Sequence, residues 1–427
     1  MKSSRTVRAG MAALAVATLV SLSACTGSAD SEEPSGQSQS QSSEPADEPT
    51  ASDTSTTTSG QAATVTPAAE LRAGLTDLLV QHVYLAGIAL KTAVDEGGNL
   101  EAPSVKAAVA TLDKNSVALS EAVGSVYPDA EAPFLESWRQ HIGFFVNYTL
   151  GKATGDKAMV TKAENDLDGY RTSFGQIINS VVPELPADAV AEELKPHVNT
   201  VFDAIDSLVA GDGKVFAKLA IAASHMPHTA ETLAGGIVQN QGLEGTVDSD
   251  AATLRSGLTY LLDEHVYLAG IALAQAVSKG GDLEEPSVQA AVAALDDNSV
   301  ALSKAVGAAY PDAEAPFLES WRQHIGFFVN YTLGKATGDK AMVTKAENDL
   351  DGYRTSFGQI INSVVPELPA DAVADELKPH VKSVFVTIDS LVAGDGKVFA
   401  KLYDAAHHMS MTAATLAGGI AENKSLN

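Results

Sequence analysis

A single cysteine, Cys25, in 427 residues excludes any disulfide within the chain. The fold must therefore be held by packing alone. Aromatic residues make up only 6% of the chain while alanine is abundant, a balance that favours helices over sheets. Positive charge is also scarce: 28 Lys and Arg stand against 54 Asp and Glu, a net charge of -26. Such a surface repels phosphate, which argues against nucleic acid and against adhesion to anionic lipid by charge. There is no Gly-rich phosphate loop, no Gly-x-Ser-x-Gly elbow, no His-Glu-x-x-His and no cysteine pair. The paired Glu-x-x-His pattern of di-iron bundles is missing too. Carboxylate pairs such as Glu192-Glu193 fall at a helix start, where capping explains them. No nucleophile–base or acid–base pair can be read from spacing, so no enzymatic activity is expected. Beyond the first 25 residues there is no run of 18 apolar residues, and no further membrane span is expected.

The opening of the chain has its own pattern. Lys2, Arg5 and Arg8 precede an apolar run from Met11 to Val20, then small residues lead to Cys25. This reads as a secretory signal over 1–24, too short to persist as a spanning helix. Leu22-Ser23-Ala24-Cys25 resembles the lipobox of bacterial, actinobacterial-type lipoproteins. That resemblance implies diacylglyceryl transfer to the Cys25 thiol, cleavage before it, and a lipid anchor at the extracytoplasmic face of the cell membrane. Two acyl chains give durable anchoring where one is marginal. Residues 25–64 are rich in Ser, Thr, Glu, Gln and Pro and read as a disordered tether. A flexible segment of that length reaches on the order of 35 Å from the membrane.

The remainder repeats with an offset of 183 residues, and Tyr127–Ala191 is identical to Tyr310–Ala374. Because so much is shared, presence in both copies says little about a residue's importance. The copies span 65–243 and 248–427. In the first, helices are predicted near 66–95, 102–125, 130–153, 156–181, 187–210 and 213–239. Thr66-Pro67 is a helix start. Gly97-Gly98, Gly155-Asp156 and Gly211-Asp212 break the chain at hairpin tips. The expected fold is all-α: two tandem six-helix bundles, each of three antiparallel helical hairpins, touching across a short linker.

All ten histidines lie in the repeats. His82 falls in the apolar stripe Leu71, Leu75, Leu78, Leu85, Ala89, and His141 in the stripe Phe134, Trp138, Phe145, Tyr148. His197 joins Val190, Leu194 and Val201, while His225 stands beside Met226 in the sixth helix. The first three lie 14 or 15 residues before their tip glycines, and His225 lies 14 after Gly211. All four are thus expected at one level, about 20 Å below the tips. The second copy places His265, His324, His380, His408 and Met409 alike. Neutral imidazole is a ligand for zinc, copper and iron, and thioether suits Cu(I). Asp113, Asn115 and Asp168, with Asp296, Asn298 and Asp351, are candidate outer partners for the imidazole N–H groups. The bland alternative is a buried polar network in which such groups simply satisfy the histidines. His225-Met226-Pro227-His228 and His407-His408-Met409-Ser410-Met411 are dense in the same residue types, and Pro227 should kink its helix.

The tandem domains resemble secreted bacterial helical domains that carry a copper amine oxidase label. In those oxidases the quinone derives from a tyrosine after Asn, as in Asn147-Tyr148. There an acidic residue and a further aromatic follow it, whereas Thr149 and Leu150 follow here, and those enzymes are large and β-rich. The activity is not expected, and Tyr148 reads as core. The reading is a surface-anchored protein that binds copper or zinc, one site per repeat. The alternatives are a non-catalytic envelope scaffold that binds a protein partner, and thirdly a haem binder.

Overall fold

The computed structural model describes residues 59–427. The signal segment, the Cys25 lipidation site and the tether up to residue 58 lie outside the described residues. Within them all regular structure is helical.

The first repeat runs α2 (Pro67–Asp95), α3 (Pro103–Val126), α4 (Glu131–Thr154), α5 (Lys157–Val181), α6 (Ala187–Ala210), α7 (Val215–Ser224) and α8 (Met226–Gln241), preceded by a short α1 (Ser59–Thr64). The second runs α9 (Asp250–Ser278), α10 (Pro286–Ala309), α11 (Glu314–Thr337), α12 (Lys340–Val364), α13 (Ala370–Val392) and α14 (Val398–Lys424). The local rules are visible at the ends. Thr66 caps α2 by accepting from the Ala69 N–H, with Pro67 in the first turn. Asp156 caps α5 through the Ala158 and Met159 N–H groups. Gly155 ends α4 with φ 72°, a left-handed position at a helix C-terminus that glycine adopts without steric cost.

The sixth predicted helix differs between copies. In the first repeat it is divided at Ser224–His225, because Pro227 has no N–H to bond the carbonyl of Ala223. In the second repeat Ser410 occupies that position and α14 runs unbroken for 27 residues.

Each helix packs on its sequence neighbour, and the last returns to the first: α8 against α2, and α14 against α9. α2 is by length and composition apolar enough to cross a membrane, but 72% of its most apolar stretch is buried inside the protein. It is the hub of the first repeat.

The described residues belong to one compact unit, and the main buried core runs through both repeats, beside a smaller cluster around Phe145 and its counterpart around Phe328. The boundary near 243–248 is thus a boundary of sequence repetition, with packing continuous across it. The seam is α2 against α9. Tyr84 and Tyr267, both fully buried, stack there with ring centroids 5.3 Å apart. The contacts are reciprocal: the buried Arg72 donates to the Val247 carbonyl at 2.5 Å, and Arg255 donates to the Thr64 carbonyl at 2.6 Å. The second of these corrects the tether boundary. Residues 59–64 form α1, which packs on α14 so closely that a β-carbon on Gly60 would collide with the Ala421 carbonyl. The polar composition hid this, because the contact is backbone to backbone through a glycine.

Candidate metal centre

α2 and α4 aim one histidine each into the core. His82 and His141 are 3% exposed, and their Nε2 atoms face each other at 3.3 Å. His265 and His324 repeat the arrangement at 3.3 Å in the second repeat. The walls are aromatic. Trp138 lies 4.8 Å from the His82 ring and 4.6 Å from the His141 ring, centroid to centroid. Tyr170 stacks on His141 at 4.8 Å, and Phe145 meets the edges of His141 and His197.

The surroundings of the far nitrogen favour one tautomer of each ring. Asn115, fully buried on α3, donates its Nδ2 to the Leu78 carbonyl at 3.0 Å, which leaves its carboxamide oxygen for His82. His141 interacts in the same sense with the Trp138 carbonyl, and His197 with the Ala222 carbonyl. None of these contacts reaches full hydrogen-bond geometry, so the three Nδ1 atoms are buried without a well-formed partner. Each nevertheless faces an oxygen, which can only accept. A proton on Nδ1 is therefore the better tautomer for both His82 and His141. Their two Nε2 lone pairs then point at one another.

Protonation does not relieve this readily. Burial pushes His82 down to about 3, helped by His197, while Asn115 works against the shift. His141 is held well below its usual range by burial and then by His82 and His197. His197 falls to about 4 through burial and then His225. His265, His324 and His380 behave alike, at about 3, well below normal, and about 4. The fourth imidazole of each repeat, His225 or His408, keeps a buried Nε2 without a partner.

The predicted residues thus divide. His82 and His141 touch; His197 acts on both and His225 acts on His197. Met226 and Met409 are buried in the common core. Among the described residues no three His, Cys, Asp or Glu side chains already converge as a metal-holding group. Of the outer partners, Asn115 and Asn298 are buried beside His82 and His265. The four aspartates are not there. Asp113 and Asp296 are half-exposed and form bidentate pairs with Arg139 and Arg322, and exposed Asp168 and Asp351 pair with Arg171 and Arg354. They lie on the outward side of their helices. The neighbouring His228 and His407 are exposed.

A second polar cluster was not foreseen. At the seam Asp77 is buried and accepts from Gln81 and from His407 Nδ1, the latter at 2.8 Å. Asp263 lies against it, fully buried, and burial followed by Asp77 drives its carboxyl well above the usual range. Nearby, Glu264 accepts from Tyr84 at 2.8 Å, Tyr260 at 3.0 Å and Asn298 at 2.9 Å. The sequence did carry a sign of it: Asp77 and Gln81 are polar residues four apart inside an otherwise apolar helix, and so share one face.

Comparison with protein-family models finds no match, and neither the curated proteins nor the solved structures supply one.

Proposed function

We propose that this chain is a surface-anchored lipoprotein that binds a transition-metal ion in each repeat, between the paired imidazoles His82–His141 and His265–His324. The observation that carries the reading is the pair of opposed Nε2 atoms at 3.3 Å in each core. That spacing is longer than the usual hydrogen bond, near 2.9–3.0 Å. It is the separation of two imidazole nitrogens that each lie about 2.0–2.1 Å from one tetrahedral ion. Asn115 and the Trp138 carbonyl stand where outer partners stand in metal sites: each presents an acceptor toward Nδ1, which favours the tautomer that leaves Nε2 free to ligate. His197 and His225 are the further imidazoles of the same core, with His380 and His408 in the second repeat. The lipobox-like Leu22-Ser23-Ala24-Cys25 supports a location at the outer face of the membrane, where capture, buffering or delivery of an ion is the corresponding role.

The test is elemental analysis after loading with copper or zinc and removal of free ion. One ion per repeat is expected. The His82→Phe/His141→Phe variant should retain the ion of the second repeat only, with its helical content checked by circular dichroism. Unchanged stoichiometry in that variant would remove these residues from the site. No retained ion in the unaltered chain would return all the histidines to a structural network and favour the scaffold.

A further inference from the structure

The charge inventory around the paired imidazoles is as informative as the pair itself. Every group that faces them is neutral: Trp138, Tyr170, Phe145, the Asn115 carboxamide and His197. The carboxylates on neighbouring turns are engaged elsewhere. Asp77 faces the seam, Asp113 pairs with Arg139, and Asp168 pairs with Arg171. Asp206 takes Lys152 at 2.7 Å, and Glu193 takes Thr229 at 3.1 Å. The second repeat engages Asp296, Asp351 and Asp389 in the same way, and its one further buried carboxyl near the pair, Glu264, is taken up by Tyr84, Tyr260 and Asn298.

We infer that the site selects a monovalent, soft, closed-shell cation, of the class of Cu(I) and Ag(I), over divalent ions. The inference rests on the metal-binding reading above. The cost of burying an ion without counter-charge rises with the square of its charge, so a divalent ion pays about four times what a monovalent one does. Structural zinc sites meet that cost with a closed shell of four ligands, frequently thiolates. Here the converging donors are two neutral nitrogens per repeat. A soft monovalent ion needs no anionic partner, and polarisable donors and an indole face favour it. Trp138 supplies the indole, with its ring centroid 4.8 Å and 4.6 Å from the two imidazole centroids. Met226 and Met409, also buried in the core, carry no charge.

The chain carries its own reporters, because its two tryptophans are Trp138 and Trp321, one against each pair. The full chain is titrated with Ag(I), and anaerobically with Cu(I) under ascorbate, each buffered by a competing chelator, and separately with Zn(II). Tryptophan fluorescence is followed and bound ion is counted. Quenching of both tryptophans is expected at one monovalent ion per repeat, at a free concentration at least about tenfold below that at which zinc acts. Trp138→Phe should leave only the Trp321 response, and His324→Phe should abolish that response. Zinc bound as tightly as Ag(I), with the same dependence on His324, would overturn the charge selectivity and leave the metal site standing. Neither ion bound would overturn both.

Discussion

Six buried imidazoles make acid the most revealing perturbation of the metal-free protein. His82, His141, His197, His265, His324 and His380 all titrate well below 6.5 in the native state, at about 3 or about 4 where burial sets a definite value. Unfolded, each takes up a proton at its ordinary value near 6.5. A depressed native value stabilises the fold above 6.5 and loses that contribution as pH falls toward 4. One pH unit below 6.5 the loss is about 1.4 kcal/mol per imidazole, or about 8 kcal/mol for six. Three groups oppose it. Asp263 and Glu264 are raised by burial, and His407 is raised by Asp77, so each binds its proton more readily in the native state and favours folding as pH falls. Toward pH 5, where all six imidazoles are protonated in the unfolded chain, about three net protons should still enter on unfolding, a slope near 4 kcal/mol per pH unit. Urea unfolding at steps between pH 6 and 5 measures that slope, and stabilities of 5–15 kcal/mol make it easy to see. Stability that is flat or rising as pH falls through this window would refute the claim that these rings are buried and neutral.

Three further outcomes follow from named contacts. Asn115→Leu should cost about 1–3 kcal/mol in urea unfolding, because the buried Leu78 carbonyl loses its donor; it should also weaken metal retention in the first repeat by about 10–100-fold while leaving the second unchanged. Gly60→Val should expel α1 from α14, seen as fast amide exchange confined to 59–64, whereas continued protection there would show that the close approach to Ala421 is dispensable. Asp77→Asn should return His407 toward its ordinary titration, because the carboxylate at 2.8 Å is the main cause of its raised value, and histidine NMR in the unaltered and substituted proteins reads the difference.

Helix positions were legible because the apolar stripes and the glycine breaks agree. The predicted 130–153 and 156–181 lie within a residue of α4 and α5. The inward histidines were legible for the same reason: Phe134, Trp138, His141, Phe145 and Tyr148 are all buried, as their spacing requires. Sequence distance from a hairpin tip gives height but not rotation. Asp113 therefore passed as a partner for the imidazoles although one residue separates it from the core position of Leu112, enough to turn it about 100° toward Arg139. Asn115, three residues beyond Leu112, returns to the core. Which two imidazoles touch was not legible either, since that depends on how α2 and α4 cross. The docking of α1 rests on a glycine in a segment whose composition reads as tether.

The seam explains where the two copies were free to differ. α2 and α9 match along their core faces, with His82 and His265 in the same stripe, yet they diverge at Ala73/Ser256, Asp77/Tyr260, Val80/Asp263 and Gln81/Glu264. These positions recur at helical spacing and line the face each helix turns to the other. The substitutions are complementary. Ser256 meets the Thr76 hydroxyl at 2.7 Å, Tyr260 and Tyr84 both donate to Glu264, and His407, which stands where the first repeat has Ser224, reaches Asp77. Two identical copies of α2 would bring Asp77 and Gln81 together twice and supply neither Glu264 nor its two tyrosine donors. A self-complementary interface has thus become one that only unlike halves can make. The cores had no such freedom. The far nitrogens of each imidazole pair face Asn115 and the Trp138 carbonyl in one repeat, and Asn298 and the Trp321 carbonyl in the other, so an exchange of either neighbour would change the only acceptor presented to a buried polar ring.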